Sequence, residues 1–201
     1  MSGPRTSLSL LRIGIYEGTV KSALENAPGR VSRALVALGA NLGDAPRTLS
    51  LAVADLAELG AVTAVSPVYR TRPIGPPQPD YLNAVAELRT TRSPRDLLRG
   101  LQAIENRHGR VRTERFGPRT LDLDLIWFEG KTSDEAELEL PHPRAHEREF
   151  VLRPLCDIDG AVPIRGRPAR EWLAEVVGQG VEPAGIDVGG QHGLPSARTE
   201  T

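Results

Sequence analysis

Residues 121–126, in the second half of the chain, alternate between leucine and aspartate before the pattern becomes wholly apolar. Because successive strand residues point to opposite faces, this alternation predicts a β-strand whose leucines enter a core while Asp122 and Asp124 share the other face. Carboxylates two residues apart along a strand lie roughly 7 Å from each other, a spacing that suits one or two Mg²⁺ ions. The alternative is a solvated strand face that binds no metal.

Apolar periodicity predicts five further elements before this strand. In chain order they are a strand at 34–38, a helix from 46 to 59, strands at 62–69 and 81–88, and a helix from 94 to near 109. Within the strand at 81–88, the even-numbered residues are apolar and are predicted to form the core face. The order strand, helix, strand, strand, helix, strand is the ferredoxin-like plan. We therefore predict an α+β fold with a mainly antiparallel sheet covered by helices, a three-layer α/β/α sandwich.

The periodic elements also define the expected domain. Residues 1–32 show no sustained period and end in a breaker cluster, so we predict an extension outside the core. Residues 33–178 would form the domain, with a short strand at 138–140 and short helices at 147–155 and 169–177. Residues 179–201 are rich in Gly, Pro and Ser and are predicted to form a flexible tail.

An arginine-rich loop directly precedes the paired acids. Residues 107–119 contain five arginines in thirteen positions, together with glycine and proline. Guanidinium groups beside a pair of carboxylates suit a metal-loaded polyphosphate. The alternative is a surface loop whose charges serve solubility. The sequence has no glycine-rich P-loop, so any nucleotide would be held by other groups.

A second polar segment, residues 140–150, contains His142, His146 and Arg148. These side chains could contact phosphates or protonate a leaving oxygen. The alternative is a turn followed by a helix with exposed polar residues. A zinc site built on the two histidines is less favoured, because the sequence offers no third cluster of cysteine or histidine ligands.

The charge balance restricts the expected partners. The chain has 25 basic and 26 acidic residues, a net charge of −1, so it lacks the global basic field that non-specific binding to nucleic acid or a membrane surface needs. Its apolar runs all fall short of the ~18 residues that a bilayer-spanning helix needs, and a cytoplasmic protein is predicted. Cys156 is the only cysteine, which excludes an intrachain disulfide and a cysteine-rich zinc site.

Four segments, in order along residues 34–158, carry a family pattern. They are ALGANLGD at 37–44, residues 69–83, RFGPRTLDLD at 115–124, and residues 140–150. Through them the chain resembles the 6-hydroxymethyl-7,8-dihydropterin pyrophosphokinase family, for which the third segment is nearly diagnostic. The resemblance implies transfer of pyrophosphate from ATP to 6-hydroxymethyl-7,8-dihydropterin, with release of AMP, in folate biosynthesis.

The resemblance also implies roles for individual residues. Asp122 and Asp124 would bind two Mg²⁺ ions that bridge the ATP phosphates. The implied catalytic residues are Arg110, Arg112, Arg119 and His142. The implied ATP-binding residues are Glu105, Arg110, Arg119, Leu125, His142 and Arg148. Leu125 would act through backbone groups that contact the adenine.

The implied pterin pocket combines backbone and side-chain contacts. Its residues are Thr71, Pro73, Ile74, Gly75, Tyr81, Asn83 and Phe150. A flat heteroaromatic ring favours an aromatic neighbour and an amide that matches its donor and acceptor edge, and Phe150 and Asn83 have these properties. Neighbouring folate-pathway enzymes are the macromolecular partners that the resemblance suggests.

Two other functions fit the predicted fold. One is a ferredoxin-like RNA-binding module that uses the arginine loop, but such a module favours exposed sheet aromatics and a basic surface. The chain has 4% aromatic residues and a net charge of −1. The other is a catalytically silent relative that only binds nucleotide or a partner enzyme. Retention of the paired acids, Arg119 and His142 argues against that reading.

Overall fold

The computed structural model describes residues 29–73, 77–110 and 118–189. The compact unit that contains the sheet begins at Ser32, and the residues up to Val31 fall in a separate unit. In the described ranges, no helix combines the length and the apolar character needed to cross a membrane.

Four α-helices and ten strands lie in the described ranges. The helices are α1 (Ala45–Leu56), α2 (Pro94–Arg107), α3 (Glu149–Asp159) and α4 (Ala169–Val176), and a single 3₁₀ turn covers Ala145–Glu147. The longer strands are β1 (Ser32–Ala40), β2 (Ala61–Val65), β4 (Tyr81–Thr90) and β5 (Asp122–Phe128). The shorter strands are β3 (Tyr69–Thr71), β6 (Ser133–Glu135), β7 (Leu138–Leu140), β8 (Pro163–Ile164), β9 (Arg167–Pro168) and β10 (Val181–Pro183).

Six of these strands form one antiparallel sheet. Its order is β10-β3-β4-β1-β5, and β2 also pairs with β4. The strand β1 is central and pairs along its length with β4 on one side and with β5 on the other. Antiparallel strands with helices after β1 and after β4 confirm the predicted α+β, ferredoxin-like plan.

Helices cover both faces of this sheet, so the molecule has three layers. The core between the sheet and helices α1 and α2 contains the fully buried side chains Leu38, Leu49, Leu56, Leu88, Leu97, Leu101, Ile104 and Leu121. The core on the other face, under α3 and α4, contains Leu35, Ile126, Leu152 and Leu155. The even-numbered residues of β4 face the first core, as predicted. The opposite face of β4 is buried as well, because Val85 packs into the second core.

Capping side chains begin two of the helices where the sequence favours it. Ser93 Oγ accepts the N–H of Asp96 at 3.1 Å at the start of α2, as predicted. Asp44 Oδ1 accepts the N–H of Arg47 at 3.1 Å at the start of α1. These caps place the turn after β1 and the start of α2 in defined positions.

Two predictions about strands are wrong. The strand expected at 62–69 is two strands, β2 and β3, separated by a break that contains Pro67, a residue without the N–H that a ladder needs. The flexible tail expected from residue 179 onward contains β10, which pairs with β3 so that Val181 lies opposite Thr71. The described chain continues to residue 189, where Val188 is buried against the first core.

Candidate active site

Three neighbouring strands place a row of polar groups on the sheet face that α3 partly covers. Gly39 on β1 pairs with Asn83 on β4 and with Asp122 on β5. A Cβ atom at Gly39 would lie 3.5 Å from Asn83 Oδ1 and 3.9 Å from Asp122 Cβ. Because Gly39 has no side chain, the amide of Asn83 and the carboxylate of Asp122 lie on either side of bare backbone.

The next row along the strands carries the second acid. Ala37 on β1 pairs with Val85 and with Asp124. Because residues two apart on a strand share a face, Asp124 lies on the same face as Asp122, while Leu123 is buried in the first core. The predicted orientation of the two carboxylates is confirmed.

Two arginines lie against Asp122. Arg110 Nη2 is 2.7 Å from Asp122 Oδ1, and Arg119 Nη1 donates a hydrogen bond to Asp122 Oδ2. The Oδ1 atom is buried, and its contact with Arg110 lacks hydrogen-bond geometry, so it has no hydrogen-bond partner among the described residues. Two arginines of the predicted basic loop, one on each side of its part outside the described residues, thus meet one of the paired acids.

Glu105, on α2, makes hydrogen bonds to β5 and to Arg110. Its side chain is 1% exposed, and Oε1 accepts the N–H of Leu123 at 2.7 Å. The same oxygen accepts a hydrogen bond from Arg110 Nη1. Burial raises the pKa of Glu105, although the ion pair with Arg110 and the hydrogen bond from Leu123 act to lower it.

Asp124 carries a negative charge that its surroundings compensate poorly. Burial and, to a smaller extent, the charge of Asp122 raise the pKa of Asp124 to about 6. The positive charges of Arg148, Arg119 and Arg110 oppose this shift. The charged form of Asp124 is therefore unfavourable on this face, and a cation bound beside it would stabilise that form.

His142 and Arg148 lie on the same side of the sheet as the two acids, since the charge of Asp122 acts on His142 and that of Arg148 acts on Asp124. Burial and the charge of Arg148 lower the pKa of His142 to about 4, so its ring is neutral at pH 7. Its Nδ1 accepts the N–H of Arg144 at 3.3 Å, which in a neutral ring assigns the proton to Nε2. Burial and the charge of Arg144 lower the pKa of Arg148.

Three residues predicted to bind the pterin, Thr71, Tyr81 and Asn83, lie on the neighbouring strands β3 and β4, at the end of the row that Asn83 forms. Asn83 Nδ2 donates to Thr71 Oγ1 at 2.9 Å, and both side chains are buried. Tyr81 donates its hydroxyl to Gln78 Oε1 at 3.3 Å. Burial raises the pKa of Tyr81, whose neighbouring charges include Arg119, which lowers it, and Asp122, which raises it.

Phe150 is the second residue of α3 and packs against the second core, with the guanidinium of Arg148 5.6 Å from the centre of its ring. The side chain of Leu125 is buried in the first core. Pro73 lies two residues after the end of β3. Three residues of the predicted site, Arg112, Ile74 and Gly75, lie outside the described residues.

Asn41 was not among the predicted site residues, although it connects three segments around the site. Its Nδ2 donates to Gln78 Oε1 and to Pro79 O, both at 3.0 Å. Its Oδ1 accepts the N–H of Arg119 at 2.8 Å, and its own N–H donates to Arg119 O at 3.1 Å. The side chain is only 4% exposed. An asparagine directly after a buried strand was the available signal, since its amide can satisfy backbone groups of neighbouring loops.

Among the described residues, no group of three or more His, Cys, Asp or Glu side chains is arranged to hold a metal ion. A metal bound at Asp122 and Asp124 would therefore need further ligands from water or from a substrate. Phosphate oxygens are the usual partners of carboxylates around Mg²⁺.

Comparisons with known proteins show the family to which the chain belongs. The model of the family described as 7,8-dihydro-6-hydroxymethylpterin-pyrophosphokinase (HPPK) matches residues 35–160. The chain is 41% identical to the 2-amino-4-hydroxy-6-hydroxymethyldihydropteridine pyrophosphokinase of Synechocystis sp., over 81% of this chain and 87% of that protein. It is 45% identical to the protein of the same name from Pseudomonas aeruginosa, over 76% of this chain and 96% of the relative.

A solved structure shows the same fold at low sequence identity. The wild-type Plasmodium falciparum HPPK-DHPS with STZ-DHP superposes with a TM-score of 0.62 at 13% identity, over 79% of this chain and 46% of that chain. The present chain thus spans less than half of that larger protein, and the likeness concerns the fold alone. The family match over residues 35–160, in contrast, covers most of the sheet, and each of the two bacterial relatives matches more than three quarters of this chain. The chain belongs to the 7,8-dihydro-6-hydroxymethylpterin-pyrophosphokinase family.

Proposed function

We propose that this protein transfers the pyrophosphoryl group of ATP to 6-hydroxymethyl-7,8-dihydropterin and releases AMP, as a step of folate biosynthesis. The observation that carries the proposal is the row Asn83, Gly39 and Asp122. It places an amide suited to a pterin edge beside a carboxylate suited to a metal-bound phosphate, with no side chain between them. Membership of the family supports the same reaction.

The donor set of the site fits Mg²⁺. Asp122 and Asp124 share a face, Asp122 Oδ1 has no hydrogen-bond partner among the described residues, and the pKa of Asp124 is raised to about 6. A divalent cation would favour the ionised form of both carboxylates. We propose that these two residues hold two Mg²⁺ ions together with the ATP phosphates. Bound there, Mg²⁺ would neutralise phosphate charge and make the phosphorus more electrophilic.

The arginines are placed to act on the triphosphate. Arg110 and Arg119 lie against Asp122, and the charge of Arg148 acts on Asp124. Guanidinium groups bind phosphate oxygens in a bidentate manner, so these side chains would orient the chain of phosphates and stabilise the charge that develops on the leaving α-phosphate. Arg112 stays a prediction of the same kind.

His142 would act as a hydrogen-bond donor to phosphate. Its ring is neutral at pH 7, and the acceptor role of Nδ1 toward Arg144 leaves the proton on Nε2. A neutral donor is sufficient here, because AMP leaves as a phosphate monoester that needs no proton from the enzyme to depart.

The adenine would lie along the edge of β5 that faces away from β1. The N–H of Leu123 points away from β1, since it donates to Glu105. Leu125 is two residues further, so in an antiparallel strand its backbone groups point to the same edge. This orientation supports the role of Leu125 that the family resemblance implies.

The pterin would lie between Asn83 and Phe150, with Thr71 and Tyr81 beside it, and the contacts of Pro73, Ile74 and Gly75 stay predictions. Its hydroxymethyl oxygen would then lie next to Gly39 and face the phosphates held at Asp122. Attack of this oxygen on the β-phosphorus forms the new P–O bond and breaks the bond between the β-phosphorus and the oxygen that bridges it to the α-phosphate. AMP departs with that oxygen, and the hydroxyl proton passes to solvent. Positioning of the two substrates supplies much of the acceleration of such a reaction.

The nature of the nucleotide product tests this proposal. Purified protein incubated with Mg²⁺, ATP and 6-hydroxymethyl-7,8-dihydropterin is expected to release AMP in proportion to the pterin consumed, as separated by ion-exchange chromatography. Protein without pterin is the control for ATP hydrolysis. Release of ADP, or no turnover, would refute the proposed reaction.

Asn83→Ala is expected to weaken pterin use more than ATP use. The variant removes a buried amide that would match the pterin edge, a loss of two neutral hydrogen bonds worth ~1–3 kcal/mol. The KM for pterin should rise about 10- to 100-fold, and the KM for ATP less than about 3-fold. Steady-state kinetics with each substrate varied in turn measure both values, and Asn106→Ala on α2 is a matched control. An equal rise in both KM values would place the amide outside the pterin pocket.

The alternatives have less support. An RNA-binding module would need a basic, aromatic sheet face, whereas this face carries Asp122 and Asp124. Partnership with another folate-pathway enzyme stays a prediction. It is consistent with two larger relatives, the Plasmodium falciparum HPPK-DHPS and the folic acid synthesis protein fol1 of Schizosaccharomyces pombe, which is 37% identical over 74% of this chain and 21% of its own length.

A further inference from the structure

The segment after α4 connects two walls of the proposed site. Gly178 and Gln179 contact the start of α3, directly beside Arg148, and β10 then pairs with β3, where Val181 lies opposite Thr71. The segment lies beyond residues 35–160, the part of the chain that the family model matches.

The side-chain amide of Gln179 holds the backbone on both sides of Arg148. Its Nε2 donates to Glu147 O at 3.0 Å, and its Oε1 accepts the N–H of Glu149 at 3.0 Å. These two backbone groups belong to the peptide units that precede and follow Arg148. One amide therefore restrains the backbone of that arginine from both ends.

The side chain of Glu149 in turn accepts hydrogen bonds from the backbone of Gly178 and Gln179. Its Oε2 accepts the N–H of Gly178 at 3.0 Å and the N–H of Gln179 at 2.7 Å. Its Oε1 accepts Arg153 Nη2 at 3.0 Å, and the residue is only 2% exposed. Gly178 and Gly180 flank Gln179 with φ values of +106° and +79°, which glycine adopts without strain. The chain is thus shaped to present Gln179 to α3.

These contacts replace a cap that α3 lacks. Arg148 is the N-cap residue of α3, in an extended conformation, and its side chain makes no capping hydrogen bond. The first N–H groups of a helix need partners from outside the helix. Gln179 supplies one of them. The side chain of Arg148 cannot do so, because a guanidinium has no hydrogen-bond acceptor, and its charge interacts with those of Asp124 and Asp122.

We propose that Gln179, together with Glu149, is a positioning residue that fixes the backbone of Arg148 and so aims its guanidinium at the ATP phosphates. The inference rests on the proposed function, because it assumes that Arg148 binds the triphosphate. A displacement of about 1 Å in a positioning group can change rates or affinities by up to ~10²-fold.

A binding experiment tests this inference independently of turnover. Isothermal titration with the magnesium complex of α,β-methylene-ATP measures Kd for the wild type, Gln179→Ala and Ser93→Ala. Ser93→Ala is the matched control, since it removes the N-terminal cap of another helix, α2, at an exposed position. Both variants should lose a few degrees of Tm. Only Gln179→Ala is expected to raise Kd, by about 10-fold, while Ser93→Ala changes it less than about 2-fold.

A double-mutant cycle separates positioning from a general loss of stability. In an Arg148→Ala background, Gln179→Ala should change Kd by less than about 2-fold, because the guanidinium that it positions is absent. Gln179→Glu keeps an acceptor for the N–H of Glu149 but loses the donor to Glu147 O, and should raise Kd about 3-fold or more.

Equal effects of Gln179→Ala in both backgrounds, or an effect no larger than that of Ser93→Ala, would overturn the inference. A wild type that binds the analogue but releases no AMP would refute the proposed reaction. The double-mutant cycle would then still test whether Gln179 positions Arg148. A wild type that does not bind the analogue would refute both.

Discussion

Asp124→Asn is expected to abolish AMP release while making the metal-free protein more stable at pH 8. Asparagine has the size of aspartate but not its charge, so the variant would lose one of the two proposed metal ligands. Metal ions contribute several kcal/mol of charge stabilisation in phosphoryl transfer, and a loss of ~4 kcal/mol lowers kcat about 10³-fold. The product assay with AMP standards measures this loss.

The gain in stability follows from the raised pKa of Asp124. Burial and Asp122 raise this pKa from 3.8 to about 6, so the folded protein binds a proton more tightly than the unfolded chain does. The wild type therefore loses stability as pH rises from about 4 through about 6, and the penalty stays constant above that range. Asparagine carries no such penalty, and the variant should gain about 1–3 kcal/mol at pH 8.

Thermal unfolding in EDTA at pH 4 and at pH 8 tests the sign. The difference in Tm between Asp124→Asn and the wild type should be positive at pH 8 and should shrink toward pH 4. Asp134→Asn, at an exposed position of β6, is the matched control and should leave both Tm and activity unchanged within error. Near-normal activity of Asp124→Asn would contradict the metal assignment, and a lower Tm at pH 8 would contradict the electrostatic account.

The parts of this site that could be predicted are those set by local pattern. Strict alternation around Leu123 indicated both the strand and the shared face of its two acids, and Ser93 followed by proline indicated the start of α2. The row of Asn83, Gly39 and Asp122 joins residues about 40 positions apart in the chain. That row is a consequence of strand register, and no local pattern reports which residues of distant strands lie opposite each other.

The C-terminal strand shows the other limit. β10 has three residues, one of them proline, and glycines at 178, 180 and 185 lie on either side of it. Such a composition resembles a flexible tail, because too few residues alternate to reveal a buried face. Its structure comes from long-range contacts, namely pairing with β3 and the hydrogen bonds between Gln179 and Glu149. Asn41 was missed for a similar reason, since its partners lie in two other loops.

Two substitutions of Glu105 are expected to have different effects, one on stability and the other on activity alone. Glu105→Ala is expected to lower the free energy of unfolding by about 2–5 kcal/mol. The variant leaves the N–H of Leu123 without its acceptor, removes the buried partner of Arg110 and opens a cavity beside α2. Urea denaturation with a shared m-value measures the difference, and Glu171→Ala at an exposed position of α4 should cost less than about 1 kcal/mol.

Glu105→Gln should behave differently. Its carbonyl oxygen can still accept the N–H of Leu123, and its volume is unchanged, so no cavity forms. Because burial raises the pKa of Glu105, holding the charged form in this position is itself unfavourable, and a neutral isostere should lose less than about 1 kcal/mol. The amide cannot hold Arg110 by charge, however, and among the described residues Asp122 would be the remaining ion-pair partner of Arg110.

The activity of Glu105→Gln should therefore fall by about 10- to 100-fold in kcat/KM for ATP although the protein stays as stable as the wild type. This combination identifies Glu105 as the group that holds Arg110 for the phosphates. If Glu105→Gln lost as much stability as Glu105→Ala, the ion pair with Arg110 would contribute more to stability than the hydrogen bond to Leu123 does. If it kept normal activity, the position of Arg110 would not depend on the charge of Glu105. The hydrogen bond to Leu123 explains why a neutral side chain can preserve the fold, and the ion pair explains why it should not preserve catalysis.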